Sequence, residues 1–502
     1  MKKINYVWAC LLTLCLCSCD KNTKPGAQDA PDDEPTYEYT KVTPVPFPVL
    51  DIAGFSFPED PNKLIDWVEK EQNDSIYIHG WGIWAGLTKL TGQVVEEDAM
   101  HVYETWLTPP EMISVIKTDS FLRSNRSNLK KPHQLTHFGQ APAFKAIKFQ
   151  DTVVVNNAIK ESVAYDPTAA EHAIKNKLFM ATSLLDIYKQ SDSLIKNIPP
   201  FPSTGITIKP VYKLLKTSTS GLEVFPIASW HGTTDDFTEF PEKDWKSYVY
   251  VNTANEGMGN GSQLMVGDNP TPEQIDKATY KLNDFIYYVL NEEDAEAYNK
   301  DIDKDEVKAV PGDTVILVAM HVTTREIERW TWQTFWWAPD ADNPPLPSSS
   351  EIASYRPDAL EGAASHYAMS VAYYMVNPTE NKYTAPKEQR TNYAFNPYLE
   401  AGFGYSVFDD DLSYVETPGE ATPTYVGVRT NCMSCHAMAT VNPAEFSMMD
   451  SSIFSVTPYV GNAYIGLNDS AFKHQLKIDF AWSVQGNIDT TGLANYMKQM
   501  KQ

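Results

Sequence analysis

The chain has 502 residues, of which 42% are apolar and 21% charged, a composition that excludes an intrinsically disordered protein. Its formal net charge of −24 excludes nucleic acid and anionic lipid as main ligands, because both are bound through neutralisation by Lys and Arg. The length predicts two or three domain-sized units that can build a core without disulfides.

Residues 1–18 have the pattern of a secretory signal peptide. Lys2 and Lys3 precede an apolar run that is too short to cross a bilayer as a mature helix. The run ends in the letters LCSC, which resemble the lipobox of bacterial lipoproteins and imply that Cys19 becomes a lipidated N-terminus. An uncleaved membrane helix and cleavage at another position are the alternatives. The lipobox pattern places the protein in the bacterial cell envelope, with its anchor in a membrane facing the periplasm or the cell exterior.

The remaining chain is predicted to be α+β, beginning with a disordered tether over residues 19–46 that is rich in Pro, Asp, Glu and Thr. A mixed helical region is expected over residues 47–300. Apolar spacing predicts helices at residues 60–70 and 76–90. Thr271 followed by Pro has the pattern of a helix start, and apolar residues continue the predicted helix to Val289.

A β-rich region that carries a single haem is predicted over residues 301–502. Residues 312–321 form a β-branched run after a Pro-Gly turn, which indicates a buried strand. Residues 330–337 follow after a short charged turn, so that the two strands could pair as a hairpin. A last short strand is predicted at residues 422–429, immediately before the final pair of cysteines.

Cys432-Met-Ser-Cys435-His436 is a C-x-x-C-H sequence, the attachment motif of c-type haem. In this chemistry the two thiols add to the haem vinyl groups, and the histidine supplies the proximal iron ligand. A zinc site would need further ligands, and no other cysteine follows residue 19. A thioredoxin-like pair would need a βαβ unit, and a plain disulfide would leave His436 unexplained. The motif therefore predicts one covalently attached haem c per chain.

The sixth iron ligand is less well defined by the sequence. Met448 and Met449, in a loop after the motif, are the best candidates for a distal methionine, although either could be a packing residue. His321 and His366 could reach the iron from upstream, but such histidines are more often hydrogen-bonded core residues, and the same holds for His79, His231 and His474. An empty sixth position is the third option.

The aromatic run at residues 330–337 alternates with a period of two. This spacing predicts that Trp330, Trp332 and Trp336 share one strand face, with Phe335 and Trp337 on the other. One interpretation is ordinary core packing in a sheet. The other is that one face lines the haem cavity, where a low dielectric would raise the reduction potential.

Several segments resemble a group of large exported proteins known as cytochrome c family or cytochrome c domain-containing proteins. The shared segments are IHGWGIWAGLT at residues 78–88, ETW at 104–106, WTWQTFW at 330–336, NPYLE at 396–400 and the haem motif. The resemblance covers most of the folded part and implies haem binding and electron transfer.

A more distant similarity joins residues 311–436 to the cytochrome P460 and cytochrome c′-β group. It consists of GDTV at residues 312–315, WTWQTF at 330–335 and the terminal haem motif. It implies a β-rich haem c fold with an open or weakly held distal site that acts on small nitrogen species. The enzymes of that group also attach a lysine to the porphyrin edge. No lysine of this chain can be matched to it, and the enzyme activity does not carry over.

These observations predict an exported, lipid-anchored monohaem cytochrome that transfers electrons. One alternative is a haem enzyme whose open site takes peroxide, hydroxylamine or a nitrogen oxide, and another is a non-enzymatic binding or sensor lipoprotein. The acidic charge predicts a basic redox partner protein. It also predicts no nucleic-acid partner, and contact with a membrane through the lipid anchor alone.

Overall fold

The computed structural model describes residues 42–95, 98–118, 147–149, 153–155, 159–191, 193–232, 245–299, 307–374, 394–400, 414–415, 424–425, 432–441, 466–468 and 472–499. The predicted signal peptide, Cys19 and residues 19–41 of the predicted tether lie outside these residues. The predicted disorder is wrong for residues 42–46, because Val42 is buried and the Val45 backbone bonds the side chains of Thr105 and Trp106. No helix in the described ranges is both long and apolar enough to cross a membrane.

The described residues contain both helices and sheets, which confirms a mixed α+β fold. The α-helices are α1 (Pro61–Glu69), α2 (Asn73–Leu87), α3 (Pro109–Thr118), α4 (Pro167–Lys175), α5 (Ala181–Gln190), α6 (Pro272–Lys277), α7 (Glu292–Asn299), α8 (Ser350–Ser354), α9 (Pro397–Glu400), α10 (Cys432–His436), α11 (Trp482–Gln485) and α12 (Leu493–Gln499). The strands are β1 (Leu90–Val95), β2 (Asp98–His101), β3 (Ile147–Phe149), β4 (Val153–Val155), β5 (Ile159–Glu161), β6 (Ala164–Tyr165), β7 (Lys196–Asn197), β8 (Ile206–Leu215), β9 (Val224–Ala228), β10 (Ser247–Asn252), β11 (Leu264–Met265), β12 (Thr279–Lys281), β13 (Tyr287–Val289), β14 (Thr314–Thr324), β15 (Thr331–Trp337), β16 (Tyr367–Ala372), β17 (Tyr414–Val415), β18 (Thr424–Tyr425), β19 (Thr440–Val441) and β20 (Leu476–Lys477).

A seven-stranded antiparallel sheet forms the centre of the described fold. Its main order is β16-β15-β14-β8-β5, with β13 beside β14 and β6 beside β8. The predicted hairpin is confirmed, because β14 pairs with β15 from Ala319–Trp336 to Thr324–Thr331. Since β8 precedes residue 300 and β14 follows it, one sheet runs across the boundary predicted at that residue.

The helix predicted from Thr271 to Val289 is wrong beyond its first turns. Thr271 does cap a helix, with its side chain accepting from the Gln274 N–H, but the helix ends at Lys277. The aromatic residues that follow enter strands, β12 parallel to β10 and β13 antiparallel to β14. β-Branched and aromatic residues pack well on a pleated sheet, and here sheet pairing outweighs the helical spacing.

Trp330 does not share a strand face with the other indoles, contrary to the prediction. It precedes β15 with a φ of 59°, a left-handed conformation that turns the chain just before the strand begins. Within β15 the alternation holds, so Trp332 and Trp336 lie on one face with Thr334 between them. We call this the Trp332 face of the sheet.

The opposite face is covered by α2. The ring of Trp84 stacks on Phe335, with centroids 4.5 Å apart, and a Cβ on Gly80 would lie 2.7 Å from Met369 Sδ. This helix is apolar around its circumference, as expected for a buried helix, and its Trp81 and Trp84 are both fully buried. The Trp332 face, on the other side of the sheet, is therefore not covered by α2.

Candidate haem-binding site

The C-x-x-C-H motif forms a single helical turn, α10, that packs against the sheet. Met433 and Ala437 are buried in an apolar cluster that also contains Trp332. The chain then enters β19, which pairs antiparallel with β20. The turn is thus held from two sides, by apolar packing and by strand pairing directly after it.

The cysteines stand at the first and fourth positions of this turn. Cys432 is partly buried, and its Sγ lies 3.5 Å from the carbonyl oxygen of Ala394. The side chain of Cys435 lies outside the described residues. Positions i and i+3 of a helix share one face, so the backbone of α10 suits attachment of one planar group through both thiols.

His436 is held in one tautomer by the backbone. Its Nδ1–H donates to the carbonyl oxygen of Phe480 at 2.7 Å. Nε2 is then the nitrogen with a lone pair, and it has no hydrogen-bond partner among the described residues. Burial lowers the pKa of His436 to about 3, with smaller contributions from the charges of His321 and Lys209. The imidazole is therefore neutral near pH 7, which is the form that binds a metal.

Trp332 forms the wall beside this imidazole. Its ring centroid lies 4.2 Å from that of His436, and its Nε1–H donates to the carbonyl oxygen of Arg329 at 3.0 Å. Trp332 is buried, with 4% of its surface exposed. The aromatic strand and the motif therefore meet in space, as one of the two interpretations of the aromatic run requires.

Two pairs of a basic and an acidic side chain lie on the same sheet face. His321 Nε2 is 2.7 Å from Glu400 Oε1, and Lys209 Nζ is 2.7 Å from Glu161 Oε2. His321 and Lys209 are direct cross-strand neighbours in β14 and β8. Both residues contribute to lowering the pKa of His436, so the face beside the motif is polar as well as aromatic.

Two of the other candidate histidines, His79 and His366, are paired with carboxylates elsewhere in the fold. His79 is fully buried on α2, between the Tyr373 hydroxyl at 2.5 Å and Glu326 Oε1 at 3.2 Å, and the sheet separates it from the Trp332 face. His366 pairs with Asp284 at 3.7 Å, next to the end of β15 remote from Trp332. His231 lies beside Trp230, and the backbone carbonyl of His474 accepts from Tyr188. Met448 and Met449 lie outside the described residues.

The residues present fit a c-type haem. The turn carries both cysteine positions, and the carbonyl bond leaves His436 Nε2 available as a metal ligand, in the way second-shell partners orient metal-bound histidines. Within the described ranges no group of three or more His, Cys, Asp and Glu side chains could hold a metal ion.

Sequence reasoning missed four residues around this site. Phe480 contributes only its backbone carbonyl, which leaves no signal in the side-chain pattern. Glu400 lies in the NPYLE segment, which resembles a segment of the cytochrome c family proteins. The sequence does not predict that Glu400 pairs with His321. Lys209 and Glu161 sit on strands that meet only in the folded sheet.

Comparison of the chain with models of protein families, with curated proteins and with solved structures found no match in any of the three.

Proposed function

We propose that this chain is an exported monohaem c-type cytochrome that transfers electrons. The observation that carries the proposal is the state of His436, neutral and oriented by the Phe480 carbonyl at the end of a C-x-x-C-H turn. Cys432 and Cys435 would hold haem c by thioether bonds, and His436 Nε2 would be its proximal ligand. When bound, the haem supplies one-electron redox chemistry.

The protein's own residues would tune that chemistry. Trp332 excludes water from one side of the imidazole, and a water-poor environment favours the less charged, reduced haem. The bond to the Phe480 carbonyl makes the imidazole a better electron donor, which favours the oxidised form. The balance of these two effects would set the reduction potential.

The proposal includes the envelope location. Cys19 would carry the lipid, residues 19–41 would form the tether, and the acidic folded part would meet a basic redox partner protein. The charge supports this choice of partner because opposite net charges speed the encounter. Met448 or Met449 would complete a six-coordinate haem in the simplest carrier.

Spectroelectrochemistry of the full-length protein, matured in a bacterial periplasm, tests the function. We expect a reversible one-electron transition with the spectrum of haem c, and a changed spectrum in His436→Gln. His172→Gln is a matched control, because His172 also bonds a backbone carbonyl, that of Pro199, at 3.1 Å. An irreversible response, or a His436→Gln spectrum identical to wild type, would contradict the proposal.

A second candidate function is a haem protein with an open sixth position. It is favoured by one observation on the Trp332 face, where His321 Nδ1 and Trp336 Nε1 are buried and have no hydrogen-bond partner among the described residues. Polar atoms that lack a partner are costly in a protein interior, and a bound water, ion or ligand is one explanation for each of them.

A further inference from the structure

The pair formed by His321 and Glu400 has the arrangement of an acid–base pair. Glu400 Oε1 accepts from His321 Nε2–H at 2.7 Å, which leaves Nδ1 as the basic nitrogen of the ring. The two side chains are 18% and 13% exposed, and Nδ1 itself is buried without a partner in the described structure. A carboxylate behind an imidazole stabilises the imidazolium that forms when the free nitrogen takes up a proton.

Trp336 places a hydrogen-bond donor near this base. Its indole is fully buried, and its Nε1–H has no partner among the described residues. On the Trp332 face Trp336 is the diagonal neighbour of His321, since it pairs with Ala319 while His321 pairs with Thr334. Diagonal neighbours on a sheet are within reach of long side chains. Ala319 and Ala368 flank Trp336 across the strands, and the Asn396 side chain donates to Thr334 Oγ1 on the same face at 2.8 Å.

The charges facing His321 come from several elements. Lys209 lies across from it on β8 and is paired with Glu161 of β5, while Glu400 comes from α9 and His436 from α10. Lys209 and Glu161 are paired with each other, and the Glu400 carboxylate is bonded directly to His321. That carboxylate balances a proton taken up by His321, and it disfavours a ligand that arrives as an anion.

We propose that His321 and Trp336 bind a small weak acid of two or three heavy atoms, beside the haem motif. The H–X bond breaks, the proton goes to His321 Nδ1, and the electron pair stays on X. The resulting anion accepts the Trp336 Nε1–H bond, while Glu400 balances the imidazolium. Hydrogen peroxide and hydrogen cyanide belong to this chemical class. The inference rests on the proposed haem site and deepens its open-site form.

Cyanide binding to the full-length ferric holoprotein tests this inference, followed by the shift of the haem absorption band after rapid mixing. We expect His321→Gln to slow association by about 100-fold, the size of effect typical of a positioned base. Glu400→Gln should slow it less, because the amide still orients the ring but does not balance its charge. Trp336→Phe should accelerate cyanide dissociation by about tenfold, the equivalent of one hydrogen bond.

His101→Gln is the matched control. His101 is also half-buried beside a carboxylate, with Nδ1 3.1 Å from Glu104 Oε2, and its side chain is 19% exposed. Cyanide should associate with His101→Gln at the same rate as with the wild type.

Three results would separate this inference from the proposed function. Equal cyanide rates in wild type and His321→Gln, with haem attached in both, would overturn the inference alone. A ferric protein that takes up no cyanide would also overturn it, and would leave the closed electron carrier standing. A chain that carries no covalent haem would overturn the proposed function itself.

Discussion

His436 is positioned by one carbonyl oxygen and one indole ring. The Phe480 carbonyl lies 2.7 Å from Nδ1, and the Trp332 ring centroid lies 4.2 Å from that of the imidazole. The first contact sets the tautomer and the second limits water. The tautomer and the surroundings of His436 thus depend on residues that lie far from it in the sequence.

Replacing Trp332 by Leu should lower the midpoint potential of the haem, because water then approaches the imidazole and stabilises the oxidised, more charged state. The fold should also lose about 3–5 kcal/mol of unfolding free energy, as for other large aromatic truncations in cores. Trp337→Leu is the control, because Trp337 is equally buried in the same strand but stacks on Phe285 at 4.2 Å.

Redox titration and urea unfolding of both variants check this prediction. Trp337→Leu should lose comparable stability with no change in potential. If the two variants shift the potential equally, Trp332 has no special relation to the haem.

The proposed haem residues Cys432, Cys435 and His436 are recognisable in the sequence because covalent attachment requires a local spacing, and their role stays a prediction. Glu400 and Lys209 are not recognisable in this way, because their partners lie on other strands or helices. The sequence therefore predicts the attachment point of the group but not the side chains that surround it.

At the scale of elements, α2 is fitted closely into its surroundings by glycines. Cβ atoms on Gly82 and Gly86 would overlap the rings of Phe55 and Phe47, from the segment that precedes α1. The same helix covers the sheet through Gly80 and Trp84. The HGWGIWAG pattern is thus explained by close packing on two sides.

Gly82→Ala should destabilise the fold by about 1–3 kcal/mol, because the Phe55 ring must move out of a packed position. Gly80→Ala should stay within about 1 kcal/mol of wild type. There the added methyl meets the flexible thioether of Met369 at 2.7 Å, and alanine also favours the helix by about 1 kcal/mol.

Urea unfolding at pH 7 distinguishes the two variants. Equal stabilities would contradict the role assigned to Phe55.

Strands were easier to predict than the end of a helix. The β-branched run of β14 has no helical competitor, and the hairpin with β15 follows from it. After α6 the apolar spacing suggests a continued helix, but Tyr280 enters β12 and Tyr288 enters β13, which pair with β10 and β14. Such long-range pairing leaves no local signal.

At the scale of the whole molecule, the central sheet draws strands from residues 159 to 372. The haem motif lies at residues 432–436 and packs on β15 of this sheet. A large part of the chain therefore forms the sheet on which this five-residue motif packs. The acidic charge of the chain is the other property of this scale that bears on function.

The net charge of −24 predicts a salt-dependent electron transfer. With a basic redox protein as partner, the second-order rate constant should fall as ionic strength rises, because salt screens the long-range attraction. With an acidic partner it should be slower at low salt and should rise with salt. Stopped-flow measurements at several salt concentrations check both directions, and a rate that is independent of salt for both partners would contradict the prediction.

Covalent haem attachment is the most direct test of the central claim. The full-length protein is matured in a bacterial periplasm, denatured, separated on a gel and stained for haem, with its mass measured in parallel. Wild type and Ser434→Ala, which keeps the C-x-x-C-H spacing, should each retain one haem per chain. The Cys432→Ala plus Cys435→Ala variant should retain none. Loss of the haem from denatured wild type, or its retention by the double variant, would contradict the assignment.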